Sequence, residues 1–397
     1  MEEVFDAAII GMGPGGEVVA DRLLTAGKKV VLFGGELIGG ECAYWACIPS
    51  KSILRAPQVS LEAVRVAGAS AGILDWRKAR DYRDYMVRHL DDSVQERGYA
   101  QRGAAVMRGW AAITGPGRVG CNGREYQAHH IIIASGTEPF IPDVPGVAEI
   151  TTWGTREVYT LKTLPQSVAI VGGSAVALEA AFFLAGFGVK VTVLNRSTRL
   201  LGREEPAVSA LAEEYLRELG VEVLTSSSIA SGWRADDGAS VLVLDQGGEI
   251  AVDVLIFATG RIPRTGRLDV SRAGATLDGR GNVRVDEHCW AAEGLWAVGD
   301  ATGIMPFTHV AKYQGRVVAD CILGKDSSAS YDGIPRVVFA NPEIAAVGLT
   351  REAAEERGID AVAVQVSLPK AIAKPWTDAR DPQGDLGILV DRHRRVM

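Results

Sequence analysis

The chain has 397 residues, 47% apolar and 23% charged, with a formal net charge of −7. That length and composition fit two or three soluble globular domains, and a mildly acidic chain without a basic cluster argues against nucleic acid or an anionic membrane as main partner. Five cysteines are too few for a secreted disulfide framework, so a reducing, cytoplasmic setting is expected.

The N-terminus, MEEVFDAAII, is acidic and runs straight into a strand, so no signal peptide is expected. Residues 4–36 read strand, turn, helix, strand: VFDAAII, GMGPGG, EVVADRLLTAG and KKVVLF. Helical material is expected from about Pro49 to Tyr99, then short strands with Gly/Asn turns over 104–133. The stretch 167–194 is long and apolar enough to suggest a membrane span. Glu179 in its middle and its recurring glycines favour a second strand, turn, helix and strand instead. An amphipathic helix follows, with Leu211, Tyr215 and Leu219 at helical intervals and Gly220 as its stop.

VLIFATGRIP at 254–263 echoes IIIASGTEP at 131–139, each after a nucleotide-type unit and a strand meander. The fold class is therefore α/β, with two Rossmann-like dinucleotide-binding domains, and from about Val337 a third domain that is only partly present. The predicted boundaries are 1–150, 151–265, 266–330 (a return to the first domain) and 331–397. The closing GDLGILVDRHRRVM reads as a hairpin whose second strand has barely begun.

Gly11-Met-Gly13-Pro-Gly-Gly16 is a GxGxxG fingerprint after a strand and opening a helix. Gly11 makes the tight turn, Gly13 lets a pyrophosphate approach the backbone, and Gly16 lets helix and strand pack closely. The helix N-terminus then offers unpaired N–H groups to the phosphates. The ribose-binding acid expected at the end of the second strand is missing: Phe33 and Gly34 stand there, and Glu36, twenty residues after Gly16, is the nearest carboxylate. The second fingerprint, Gly172-Gly173-Ser174-Ala-Val-Ala177, puts a serine where a pyrophosphate should approach. Its following strand ends at Asn195, where an NAD site would carry an acid, with Arg196 and Arg199 just beyond. Arginine there suits a 2′-phosphate, so NADPH is favoured over NADH.

Cys42 and Cys47 lie five residues apart and are followed by Ile-Pro-Ser-Lys. A zinc site would need further ligands, and Cys121, Cys289 and Cys321 stand in unrelated contexts, so no metal is expected. Residues five apart in a regular helix have Cα atoms about 8–9 Å apart, beyond the disulfide limit of about 7 Å. The pair can close only if the backbone around Cys42 leaves the helix. Spacing alone leaves a redox pair and two idle thiols both open.

GMGPGG, GGxC-x4-CIPSK, ASGTEP, GGSAVALE, ATGRIP, AVGDATG, THVAKYQG and VVFANPE together resemble the class I pyridine nucleotide-disulfide oxidoreductases over essentially the whole chain. That family includes dihydrolipoamide dehydrogenase, glutathione reductase and mercuric reductase. The resemblance implies FAD in the first fingerprint and NAD(P)H in the second. It implies a redox disulfide in which Cys47 is nearest the flavin and Cys42 meets substrate, and a Lys51–Glu179 pair near the flavin nitrogen that accepts hydride. Gly299 and Asp300 would hold the ribityl chain. Ser135, Gly136, Gly260, Arg261 and His309 fall in family segments beside the cofactors. Electrons would pass from NAD(P)H through flavin to the cysteine pair, and on to a small-molecule disulfide or dithiol by exchange.

Tyr44 and Trp45 depart from the family's commoner Asn-Val-Gly filling and read as packing. Family members continue into a dimer-forming domain with a His-Glu pair near its end that nothing here matches, so a homodimer is doubtful and exchange is expected to be slowed by about 10²–10⁴-fold. His309 is a candidate substitute base. Two other readings are a flavin-only reductase of quinones or dyes and a non-enzymatic scaffold.

Overall fold

The computed structural model describes residues 3–371 and 384–397. The stretch 372–383, part of the strand-like C-terminal region, lies outside the described residues. The chain forms two compact units, one of Met1–Pro49, Asp84–Phe140 and Gly260–Tyr331, the other of Ser50–Arg83, Ile141–Thr259 and Asp332–Met397.

In the first unit the main path of an eight-stranded sheet runs Trp290–Ala292, Leu295–Ala297, Arg124–Ile133, Val4–Ile10, Val30–Gly34, Ala105–Arg108, parallel except at its first pair, and the antiparallel strands Ala111–Gly115 and Arg118–Cys121 branch from Arg124–Ile133. Alternation along the strands sorts side chains to two faces. Ala7, Ile9, Val30, Leu32 and Ile132 meet Val19, Ala20 and Leu23 of the helix Pro14–Thr25 and Val317 and Val318 of the helix Thr308–Ile322. Ala8, Ile10, Val31, Phe33, Ile131 and Ile133 meet Leu268 and Val270 on the other face. Each buried Val, Leu, Ile or Phe among them contributes about 1.5–3 kcal/mol. Val4–Ile10 lies between Val30–Gly34 and Arg124–Ile133, so the chain leaves it at a switch point, where open α/β sheets hold ligands.

The second unit repeats the plan with a parallel sheet in the order Glu222–Thr225, Lys190–Asn195, Ser167–Val171, Val254–Phe257, Thr152–Trp153. Residues 167–194 are thus strand, helix (Ala175–Gly186) and strand. The helix is apolar all round because its unit covers it: Leu178, Phe182 and Phe183 share one core with Ile53, Leu54, Val158, Tyr159 and Val338. No helix among the described residues is long and apolar enough to cross a membrane. Two antiparallel hairpins end the unit, Pro335–Val338 with Ile344–Val347 and Ala361–Ser367 with Asp385–Asp391. After the latter the chain turns back, and Val396 makes a single bridge to Val390.

Candidate active site

Both fingerprint turns depend on a glycine that no other residue could replace without strain. Gly11 has φ +101°, and a Cβ there would stand 2.3 Å from the Ala134 carbonyl oxygen; Gly172 has φ +124°, and its Cβ would stand 2.4 Å from that of Ala258. A Cβ on Gly16 would fall 2.1 Å from the Gly11 oxygen, so helix and strand touch backbone to backbone. Gly13, the N-cap of Pro14–Thr25, faces open space instead, as a phosphate cradle requires.

The surroundings of the first turn fit FAD. The Ser135 hydroxyl beside it is buried with no hydrogen-bond partner among the described residues, an acceptor or donor waiting for a ligand. A cavity of about 440 Å³ opens at Gly34, Glu36, Trp45 and Arg108. Glu36 is not loose: Arg264 Nη1 donates to its Oε2 at 2.7 Å, and the same guanidinium lies over Trp110 at 5.8 Å. Arg264 itself is anchored by its N–H on the Gly136 carbonyl at 3.0 Å. Asp300 accepts from Thr137 Oγ1 at 2.9 Å, and Arg261 donates to Thr137 Oγ1 at 2.7 Å and to its carbonyl at 2.8 Å. Burial raises the Asp300 carboxyl above the usual range, with Thr137 and Arg261 opposing. The Gly299 N–H donates to Gln314 Oε1 at 2.6 Å, and Gln314 is 0% exposed. Gly260 supplies the carbonyl that receives the Phe140 N–H at 2.9 Å.

At the second turn, Gly173 packs on the Asn195 side chain. Ser174 turns its hydroxyl onto the helix that follows. It caps Ala175–Gly186, its hydroxyl accepting from the Ala177 N–H at 3.5 Å and donating to the Ala258 carbonyl at 3.3 Å. Asn195 Nδ2 donates to the carbonyls of Ser197 (3.1 Å) and Arg199 (2.7 Å). Arg196 is exposed, while Arg199 pairs with Glu352 at 3.1 Å.

Cys42 sits in the one-turn helix Gly40–Tyr44, which stops at Trp45 (φ −130°), and the helix Cys47–Arg65 starts two residues later. The break that lets the sulfurs meet therefore follows Cys42 rather than surrounding it. The two thiols share a hydrogen bond, which with burial pushes the Cys42 thiol well above the usual range. Cys47 Sγ also lies 3.4 Å from Thr308 Oγ1. Cys47 and Thr308 are each the first residue of a helix, so two positive helix ends meet at this sulfur, where a thiolate is stabilised.

In the second unit, Lys51 Nζ donates to Glu179 Oε2 at 2.7 Å, and Glu179 Oε1 receives the Phe339 N–H at 3.0 Å. Both oxygens of a carboxylate only 4% exposed are thereby satisfied, which accounts for the charge in an apolar helix. His309 is exposed and stacks on Phe307, ring centroids 5.3 Å apart. In THVAKYQG it is the neighbouring Thr308 that touches sulfur. Thr308, Thr137, Gln314 and Arg264 were not singled out by sequence reasoning.

Residues 5–315 match the family model described as pyridine nucleotide-disulphide oxidoreductase, and residues 334–397 match that of its dimerisation domain. The chain belongs to the class I pyridine nucleotide-disulfide oxidoreductases: it is an oxidoreductase of the flavoprotein type, in a family that works with FAD, a pyridine nucleotide and a redox disulfide.

It is 32% identical to a mercuric reductase of Streptomyces lividans, over 98% of this chain and 84% of that protein. It is 29% identical to a dihydrolipoyl dehydrogenase of Geobacillus stearothermophilus, over 99% and 85%. With a mercuric reductase of Staphylococcus aureus it is 30% identical, over 90% of this chain and 66% of that protein. Among solved structures, the HOCl-induced flavoprotein disulfide reductase RclA of Escherichia coli superposes with a TM-score of 0.87 at 28% identity, covering 99% of this chain and 88% of the other.

Proposed function

We propose that this chain is an FAD-dependent NAD(P)H:disulfide oxidoreductase that carries an electron pair through Cys42 and Cys47 to a small disulfide, or in reverse from a dithiol, and that it prefers NADPH. The observation that carries the reading is the sulfur of Cys47, within hydrogen-bond distance of the Thr308 hydroxyl at the meeting of two helix N-termini and hydrogen-bonded with the Cys42 thiol.

Gly13 and the N-terminus of Pro14–Thr25 would hold the FAD pyrophosphate, Glu36 the ribose, and Asp300 with Ser135 the ribityl end. When bound, FAD supplies two-electron chemistry between nicotinamide and sulfur. The reduced pair then holds one proton between two sulfurs. Transfer of that proton from Cys42 to Cys47 frees the Cys42 thiolate to attack a substrate disulfide. One S–S bond forms, the substrate's breaks, and the departing thiolate takes the proton back from Cys47. Cys47 then attacks the Cys42 sulfur, closing the pair and releasing the second thiolate. Lys51, fixed by Glu179, is the cation that the family motif offers for the hydride-transfer step.

Arg196, exposed beside Asn195, supports a 2′-phosphate. Two copies pairing through 334–397 and a reducing, cytoplasmic compartment complete the reading. Anaerobic titration with NADPH and NADH tests it: a long-wavelength absorption band should grow in as the flavin bleaches, at lower NADPH than NADH. Bleaching without the band overturns the cysteine roles, and equal titration by both overturns the nucleotide preference.

A further inference from the structure

We propose that Glu352 withholds Arg199 from the 2′-phosphate of the nucleotide, so that the C-terminal segment sets how strongly the chain discriminates NADPH from NADH. The inference rests on the nucleotide reading above and adds a determinant outside the dinucleotide fold.

The loop 195–205, which follows the strand Lys190–Asn195, is tied to the C-terminal segment at three places. Arg336 donates to both carboxylate oxygens of Glu204, at 2.9 and 3.1 Å, with the two side chains only 18% and 12% exposed. The Arg351 N–H donates to Glu205 Oε1 at 2.6 Å. These two ties fix the loop. The third differs in kind: Arg199 Nη2 reaches Glu352 Oε2 through one bond of 3.1 Å and the Gly202 carbonyl at 3.1 Å, and the Glu352 side chain is 68% exposed against 28% for Arg199. An ion pair of that sort is weak and can open without disturbing its surroundings.

The backbone at Arg199 stays put when the pair opens, because Asn195 Nδ2 holds the Arg199 carbonyl at 2.7 Å. Only the side chain has to swing. A phosphate dianion offers several oxygens to the planar guanidinium, against the one Glu352 carboxylate oxygen and the Gly202 carbonyl that Nη2 now meets. A nucleotide carrying a 2′-phosphate therefore competes with Glu352 for Arg199, and one with a bare 2′-hydroxyl does not. Sequence position concealed this, since Arg199 and Glu352 are 153 residues apart.

Calorimetric titration of the holoenzyme with 2′,5′-ADP and with 5′-AMP tests the proposal without any redox chemistry. Glu352→Gln should tighten 2′,5′-ADP by about two- to five-fold, the range an exposed pair allows, and leave 5′-AMP unchanged. The gain should vanish in the double variant Arg199→Gln/Glu352→Gln. If the wild type prefers 2′,5′-ADP and Glu352→Gln leaves that preference unaltered, or tightens both ligands alike, the role of Glu352 is overturned while the NADPH reading stands. If neither protein distinguishes the two ligands, both readings fall.

Discussion

The two fingerprint turns solve one problem alike and a second one differently. Gly11 and Gly172 both take a positive φ with a carbonyl oxygen where a Cβ would go, so the backbone trace is common to both. Beyond it they diverge. Gly13 leaves the first turn open, whereas Ser174 folds its hydroxyl back onto the second helix. The first strand pair ends near a carboxylate, Glu36, gripped by Arg264; the second ends at an amide, Asn195, beside the exposed Arg196. One fold thus places an acid beyond one turn and cations beyond the other, which is what the proposed ribose and 2′-phosphate contacts would use. On the proposed reading, turn geometry brings a dinucleotide close and the charges beyond the turn would select which one.

The sharpest way to break this contrast is to block each turn. Alanine at Gly11 or Gly172 should cost on the order of 3 kcal/mol or more locally, from backbone strain and the carbonyl clash. Gly11→Ala should purify with little flavin. Gly172→Ala should purify yellow but fail to bleach with either nucleotide, and a colourless Gly172→Ala protein would show that the two sites are not separate.

A pH effect belongs to the first helix alone. Burial, with Asp21 second, pushes Glu17 up to about 7 from its ordinary 4.5, while Lys312 and Arg88 oppose; the helix after the second turn has no acid in its first turn. The folded state holds the Glu17 proton more tightly than the unfolded state does. Its contribution is therefore full below pH 4.5 and lost as pH rises through 7. Between those limits the wild type should lose roughly 1–2 kcal/mol that Glu17→Gln keeps. Urea midpoints at pH 5 and pH 8 measure this, and parallel losses in both proteins would refute it.

Thr308→Val removes the hydroxyl from Cys47 and should raise the pH midpoint of the long-wavelength band by about 0.5–1 unit. An unmoved midpoint would mean the 3.4 Å approach has no electrostatic consequence. The smallest expected effect is at Ser174. Alanine there should cost about 1 kcal/mol of stability and glycine only a few tenths. Glycine, which makes the second turn resemble the first, should tighten nucleotide binding a few-fold; weaker binding would mean the cap also shapes the site.

What could be read from the chain was what is local. Positive-φ glycines, strand periodicity and the helix stop at Gly220 act over a few residues, and both dinucleotide units were legible for that reason. Glu179 was legible too, because a charge inside an apolar helix demands a partner, and Lys51 was the one the family motif offered. Long-range contacts were not legible. Thr308 reaches Cys47 across 261 residues, and Arg264 reaches Glu36 across 228. The bond that Ser174 makes was hidden because the carbonyl that receives its hydroxyl lies 84 residues downstream. The cysteine spacing stated that the helix must break but not that the break falls at Trp45 and Ala46.

The most direct test of the central claim counts thiols. Holoenzyme with its cysteine pair oxidised is alkylated before and after anaerobic reduction by NADPH, and the modified peptides are identified by mass spectrometry. The account predicts two newly reactive thiols per chain, both within the peptide carrying Cys42 and Cys47. An unchanged count, with the flavin fully bleached, would contradict it.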